Sequence, residues 1–340
     1  MTGADAVLWS AVDRWIDAAP LPSDLADHRL QLLAARRLRD TGRPVPPEFV
    51  EHERMAAVVA MTAPLVLERV REALAGPLVL FKGMEVAARY PEPALRIFHD
   101  LDVLVPDAPA AQARLLAAGF EEVGDAALYV DIHHLRPLKW PTLPTMVEVH
   151  HGPKWPAYAA APAAAELIGS AMPGSTGVPG VLALRPPAHA LVLAAHSWSN
   201  VPLGRLRDLL DVHLVAAEAE PADITALARR WGMERVWETT CAASAALLDP
   251  RRRPTVPLLT WARGLRRVRS RTVLEYHLER WTSCFWAIPP RRALGETLSV
   301  VRRELRPEAD EGWSRKLRRT VAATRDARRR KRDHDERLSR

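Results

Sequence analysis

The chain has 340 residues, 48% of them hydrophobic, and a formal net charge of +7. That length allows two or three compact units with a sizeable core, and no uninterrupted apolar run is long enough for a membrane-spanning helix. Its two cysteines, Cys241 and Cys284, form no CxxC or Cys/His ligand pattern, so a disulfide scaffold or a zinc-ribbon protein is not expected. Met1 to Ala6 carries no basic stretch ahead of an apolar one, so no signal peptide is expected and the predicted compartment is the cytoplasm.

Taken in chain order, residues 1–74 read as an N-terminal helical region. One helix is predicted over roughly 23–41. After the Pro44-Val45-Pro46-Pro47 break a second follows, with apolar positions at Met55, Val58, Val59, Met61, Leu65, Val66, Leu67 and Val70 recurring at helical spacing. Residues 75–152 change character. A strand ending at Phe81 runs into a turn at Lys82-Gly83, and a helix is predicted over Met84–Tyr90. Then come a strand over Asp100–Val105, a helix over 107–118 stopped by Gly119, strands over Phe120–Val123 and Leu128–Ile132, and a last strand over Thr145–His150. This order predicts an α+β fold, a small mixed β-sheet with helices on one face, flanked by helical regions. Residues 153–185, rich in Pro, Ala and Gly, read as an irregular linker with a short helix. Residues 186–310 read as a C-terminal helical domain broken at Pro250–Pro254, with further helices near 258–285 and 290–305. Residues 311–340 form a basic helical or disordered tail. From 313 onward it holds 12 basic and 4 acidic residues, a surplus larger than that of the whole chain, so the rest is close to neutral. The run Arg328–Arg332 suits nucleic acid or anionic lipid, but no aromatic residues interleave with it for base stacking. A solvated tail is the favoured reading.

The chemistry concentrates in the mixed segment. In His99-Asp100-Leu101-Asp102-Val103-Leu104-Val105 the side chains alternate, so Asp100 and Asp102 share one face of the strand and Leu101, Val103 and Val105 the other. Paired carboxylates repel and resist desolvation unless a cation lies between them. Their spacing suits Mg²⁺ with substrate phosphates. In the second strand Glu148 and His150 share a face opposite Val147 and Val149, which makes Glu148 a candidate third carboxylate. His150 would orient it, touch substrate, or serve as a structural histidine. The strand–glycine–helix junction at Lys82-Gly83 offers backbone N–H groups and a point charge to a phosphate. Arg96 offers a guanidinium fork to the β- or γ-phosphate, or pairs with Glu92 or Glu85. His99, His133, His134, His150 and His151 cluster in this segment without an HExxH spacing, so zinc is not expected. In the helical part Asp208 and Asp211, beside Arg205 and Arg207, either line the cleft or form intrahelical ion pairs. The tryptophans at 198, 231, 237, 261, 281 and 286 are expected in the core.

The ordered set Leu80-Phe81-Lys82-Gly83, Tyr90-Pro91, Arg96-Ile97-Phe98-His99-Asp100-Leu101-Asp102-Val103-Leu104-Val105 and Val147-Glu148-Val149-His150 resembles the uncharacterised bacterial nucleotidyltransferases. These belong to the DNA-polymerase-β-like nucleotidyltransferase superfamily. The resemblance covers roughly residues 75–245 and extends through Leu182–Leu191 and Ala195-His196, more weakly to about residue 300. It implies an Mg²⁺-dependent enzyme that moves a nucleoside monophosphate from an NTP to a hydroxyl and releases pyrophosphate. Asp100, Asp102 and Glu148 would hold two Mg²⁺ ions, and Lys82, Gly83, Arg96 and His150 would contact the nucleotide. ATP, CTP, GTP and UTP all stand as donors, and the acceptor is a small molecule, a peptide or a protein side chain. The alternative is a non-catalytic nucleotide-binding or toxin–antitoxin-type interaction module whose basic tail docks nucleic acid or protein. Three departures stand out. Lys82-Gly83 replaces the superfamily's Gly-Gly or Gly-Ser, the gap from Gly83 to Asp100 is longer than in the minimal superfamily pattern, and His99 stands where small or polar residues are usual.

Overall fold

The computed structural model describes residues 3–130 and 132–306, with 312–314 and 318. Its elements in chain order are helices α1 (Gly3–Ala18), α2 (Pro22–Asp27), α3 (Gln31–Asp40) and α4 (Pro47–Ala73), strand β1 (Val79–Leu80), α5 (Met84–Ala87), β2 (Asp100–Leu104), α6 (Ala108–Ala117), β3 (Glu121–Glu122), β4 (Leu138–Lys139), β5 (Met146–His150), α7 (Ala164–Gly169), β6 (Met172–Pro173) and β7 (Leu182–Ala183). The helical part follows as α8 (Pro186–Asn200), α9 (Leu206–Ala216), α10 (Pro221–Arg230), α11 (Glu234–Leu248), α12 (Val256–Leu259), α13 (Arg263–Arg266), α14 (Val273–Thr282), α15 (Cys284–Ala287) and α16 (Pro290–Leu305). The seven strands form one mixed sheet in the order β3-β4-β5-β2-β1-β7-β6. At its centre β2 and β5 run parallel, with Leu101 opposite Val147, Asp102 opposite Glu148 and Val103 opposite Val149.

Strand alternation gives this sheet two unlike faces. Leu101, Val103, Val147 and Val149 are fully buried, in one cluster with Val59, Ala63, Val66, Leu67 and Val70 of α4 and Ala108, Ala111 and Leu115 of α6. Each such side chain contributes roughly 1.5–3 kcal/mol by leaving water. Asp107 starts α6 by accepting a 3.0 Å bond from Ala110 N, and Gly119, at φ 102°, lets the chain turn away at its end. On the other face Val79, Phe81 and Leu104 join a larger core with α1, α3 and α8–α11, and the acidic positions of β2 and β5 lie beneath those helices. The mixed α+β architecture expected from the sequence is therefore present.

Several local expectations differ. The predicted strand over 128–132 is a 3₁₀ turn at Ala126–Tyr129. Leu128 and Val130 are 71% and 65% exposed, so their apolar alternation meets no partner strand; the sheet takes Leu138–Lys139 instead. Asp131 lies outside the described residues. The predicted helix over 23–41 is broken at His28–Leu30, where Arg29 has φ 57°. The helix after Gly83 ends at Ala87 rather than Tyr90. The stretch read as a linker supplies β6 and β7 to one end of the sheet. The tail from 319 onward lies outside the described residues, so the reading of its basic run does too. Cys241 and Cys284 are free thiols, half-buried and buried. Among the described residues, no helix is long and apolar enough to cross a membrane.

A buried ion pair joins sheet and helices. Arg96, in the loop entering β2, donates Nε and Nη2 to the two carboxylate oxygens of Asp211 on α9, at 2.9 and 2.8 Å. Tyr90 Oη donates to Asp211 Oδ1 at 2.7 Å. Burial alone would push Asp211 up, but Arg96 and Arg207 outweigh it and hold the carboxyl below its ordinary value. Removing one partner of such a pair leaves the other buried and uncompensated. Asp211→Ala is accordingly expected to lose about 3–5 kcal/mol in urea denaturation. The combined Arg96→Met, Asp211→Leu chain should lose clearly less.

Candidate active site

The parallel register of β2 and β5 sets Asp102 directly across from Glu148, with Asp100 two residues back on the same face. All three line a cleft of about 770 Å³ between the sheet and the helices. Asp102 is 1% exposed; Asp100 and Glu148 are half-buried. Like charges opposed across a sheet destabilise it, so their neutralising partners decide how the site stands. Lys82 Nζ donates to Asp102 Oδ1 at 2.9 Å. His150 Nε2 lies 3.1 Å from the same oxygen and 3.6 Å from Glu148 Oε2, but off the line of a hydrogen bond. His134 Nε2 is 3.7 Å from Glu148 Oε2. Asp102 Oδ2 is buried and has no hydrogen-bond partner.

Titration follows these contacts. Burial would raise Asp102, but Lys82 and His150 override it and hold the carboxyl well below the usual range. Asp100 lacks such a direct cation. Burial, then the charges of Asp102 and Glu148, push it up to about 6. Burial opposes a charge on His150, yet the two carboxylates beside it win and raise its pKa. His133 is pushed down to about 3, chiefly by burial and then by His150 and His134. Burial, then Lys82, lowers Lys154.

One donor atom each from Asp102, Glu148 and His150 lie within 4.8 Å of one another, so these three residues fit a divalent cation. The unpartnered, buried Asp102 Oδ2 is the specific sign, because a buried carboxylate oxygen without a donor is costly. Asp100 falls outside that tightest group but stands at the next same-face position of the strand. Lys82 Nζ and His150 Nε2 both lie against Asp102 Oδ1, so Oδ2 is the oxygen left for an ion; His150 can ligate one only as the neutral imidazole.

The phosphate-loop residues are placed differently from one another. Gly83 has φ 58°, and a Cβ there would come within 2.7 Å of Asp100 O, so only glycine lets this turn sit against the acidic strand. Arg96 lines the cleft, but its fork is not left open to a phosphate as the sequence reading expects. Asp211 occupies it, and Nη1 donates to Gly83 O at 3.2 Å, so Arg96 braces the glycine turn. Neither alternative partner is used: Glu85 pairs with Arg89 at 2.7 Å and Glu92 pairs with Arg36. Asp208 lines the cleft, held by Arg207 at 3.0 Å, whereas Asp211 is committed to Arg96. Of the histidines, His133, His134 and His150 have ring centroids 4.8–5.3 Å apart; His99 and His151 are exposed. Trp198, Trp231, Trp237 and Trp261 are buried in the helical core.

Sequence reasoning missed Lys154 and Arg29, which also line the cleft. His189 was missed too. It is fully buried on α8, and its Nε2 donates to Phe81 O at 2.7 Å, fixing the strand end from which Lys82 projects. Its signal was a histidine in an apolar helix, within the Leu182–Leu191 stretch that shares the family resemblance.

The model of a family described as uncharacterised nucleotidyltransferase matches residues 21–249 of the chain. No curated protein and no solved structure matches it. The matched span begins within the N-terminal helices, earlier than the motifs alone suggest, consistent with His28 and Arg29 lining the same cleft.

The raised Asp100 carboxyl gives a stability test. Its folded value of about 6 exceeds the ordinary 3.8, so without metal the folded state holds that proton more tightly, and its stability falls as pH rises from about 4 to 6. In chelator, Asp100→Asn should gain roughly 1–2 kcal/mol at pH 8 and almost nothing at pH 4, measured by urea denaturation. Equal effects at both pH values would remove the charge crowding inferred at this position.

Proposed function

Because the chain belongs to the family of uncharacterised nucleotidyltransferases, we propose that it transfers a nucleoside monophosphate from an NTP to a hydroxyl group, releasing pyrophosphate. The observation that carries this reading is the register pair Asp102–Glu148, with the buried Asp102 Oδ2 left without a donor. In this reading Asp100, Asp102 and Glu148 hold two Mg²⁺ ions, with His150 beside them. Bound there, the ions would neutralise phosphate charge and lower the pKa of the attacking hydroxyl.

The chain's own groups do the rest. Lys82 leaves Asp102 Oδ1 for the triphosphate, and Lys154, close enough to feel the charges of Lys82, Glu148 and Asp102, adds a second positive charge. Gly83 brings backbone close to the phosphates, on a turn held from behind by Arg96. Glu148 accepts the acceptor's proton. The helices over the cleft limit water at the α-phosphorus, which favours transfer over hydrolysis. The three closely spaced acids favour an enzyme over a pure nucleotide-binding module, which has no need of mutually repelling carboxylates in its floor.

The test is incubation with each α-labelled NTP and Mg²⁺, with and without cell lysate, scoring pyrophosphate and labelled product. Asp102→Asn and Glu148→Gln should each lower transfer at least about 100-fold while circular dichroism stays unchanged. Wild-type activity retained by both variants would refute the assignment; label on the protein itself would identify a protein acceptor.

A further inference from the structure

The cleft has a second group of cations, apart from Lys82 and Lys154. Arg29 lies in the break between α2 and α3, and Arg205 and Arg207 lie at the start of α9. Arg207 N donates to His28 O at 3.3 Å, which brings these two segments together. Arg207 Nη1 donates to Ile97 O at 3.0 Å, which fixes them beside the chain entering β2 at Asp100. The charges acting on Arg29 come from Arg207, Arg205, Asp208 and Asp100. Those acting on Lys154 come from Lys82, Glu148 and Asp102. Both cationic groups line the cleft that holds the acidic row, and the arginine group is the one tied to the chain entering β2 at Asp100.

Most arginines in the cleft wall are already satisfied. Arg269 is paired with Glu275 and Arg271 with Glu279, and Arg207 with Asp208. The side chains of Arg29 and Arg205 have no ion-pair or hydrogen-bond partner among the described residues. Arg29 is held at φ 57°, a conformation that non-glycine residues adopt at a cost. Burial, then the neighbouring Arg207 and Arg205, lowers its pKa to about 10. Asp208 is taken up by Arg207 and neither free guanidinium pairs with Asp100, so a bound anion would relieve the repulsion between these arginines and accept their unused N–H donors.

We propose that Arg29 and Arg205, supported by Arg207, bind an anionic group on the acceptor, a phosphate or a carboxylate, and so bring the acceptor hydroxyl to the Asp100 end of the acidic row. This rests on the transferase reading above and narrows it. The acceptor is a hydroxyl compound that also carries negative charge, and a polycationic acceptor is disfavoured by this wall. Guanidinium groups bind either oxyanion through paired N–H donors.

The test uses the full chain and calorimetric titration with inorganic phosphate, repeated with glycerate to separate phosphate from carboxylate recognition. Each titration is run alone and with saturating Mg²⁺ and an α,β-methylene NTP analogue. Wild-type protein should bind one of the two anions, and should still bind it with the analogue present. Arg205→Ala and the Arg29→Asn, Arg205→Ala double variant should weaken that binding at least about tenfold, with analogue affinity within about twofold of wild type. Asparagine tolerates the positive φ at 29, and Arg205 is exposed, so the single Arg205 variant keeps the test valid if the double variant misfolds. Anion binding unchanged by these variants, displaced by the analogue, or lost together with analogue affinity would overturn the proposal, the last two returning this wall to the triphosphate. Absence of analogue binding to wild-type protein would count against the transferase reading instead, and the phosphate and glycerate titrations run alone still decide whether the arginines form an anion site.

Discussion

The parallel pairing of β2 with β5 is the constraint on which the rest of the site depends. It places two carboxylates side by side on a mostly buried face, a choice that apolar packing alone would never favour. The arrangement survives because the reverse faces of the same strands are fully apolar and locked under α4 and α6. A one-residue slip would exchange the two faces and bury the acids in that core. The packing that stabilises the sheet therefore also fixes the direction of the acids.

Positive charge is distributed around this row in graded fashion. Lys82 and His150 sit directly against Asp102 and hold it ionised. Asp100, without such a contact, is left with a raised pKa. Farther out, Lys154 and Arg29 are partly buried cations whose own pKa values are lowered. Such an ensemble is balanced when empty only by local pairing, and it is suited to polyanionic ligands carrying divalent cations. The Arg96–Asp211 pair keeps the whole in register. It fastens α9, and with it the arginines at the start of that helix, to the loop that delivers β2.

What could be read from the sequence was what is local and periodic. The alternation in Asp100–Val105 and Thr145–His150 gave both strands and the face each acid occupies, because strand period and side-chain direction are linked. The glycine turn was legible because Gly83 stands between a strand and a helix. What escaped depends on contacts distant along the chain. Arg96 meets Asp211 across 115 residues, so nothing near Arg96 announces that its fork is taken. Arg29 reaches the cleft through a break in what looked like one continuous helix. Leu128 and Val130 imitate a strand but find no edge to join, while the short β6 and β7, two residues each, carry too little pattern to be recognised.

In the function proposed above, Asp102 and Glu148 jointly hold a divalent cation used in nucleotidyl transfer. Its most direct measurement is anomalous diffraction from crystals of the full chain grown with Mn²⁺ and a non-hydrolysable NTP. The expected result is an anomalous peak within coordination distance of Asp102 Oδ2 and Glu148, with Lys82 moved from Asp102 to the triphosphate. A nucleotide bound with no metal at these carboxylates, or a peak elsewhere in the cleft, would rule out a metal role for this pair.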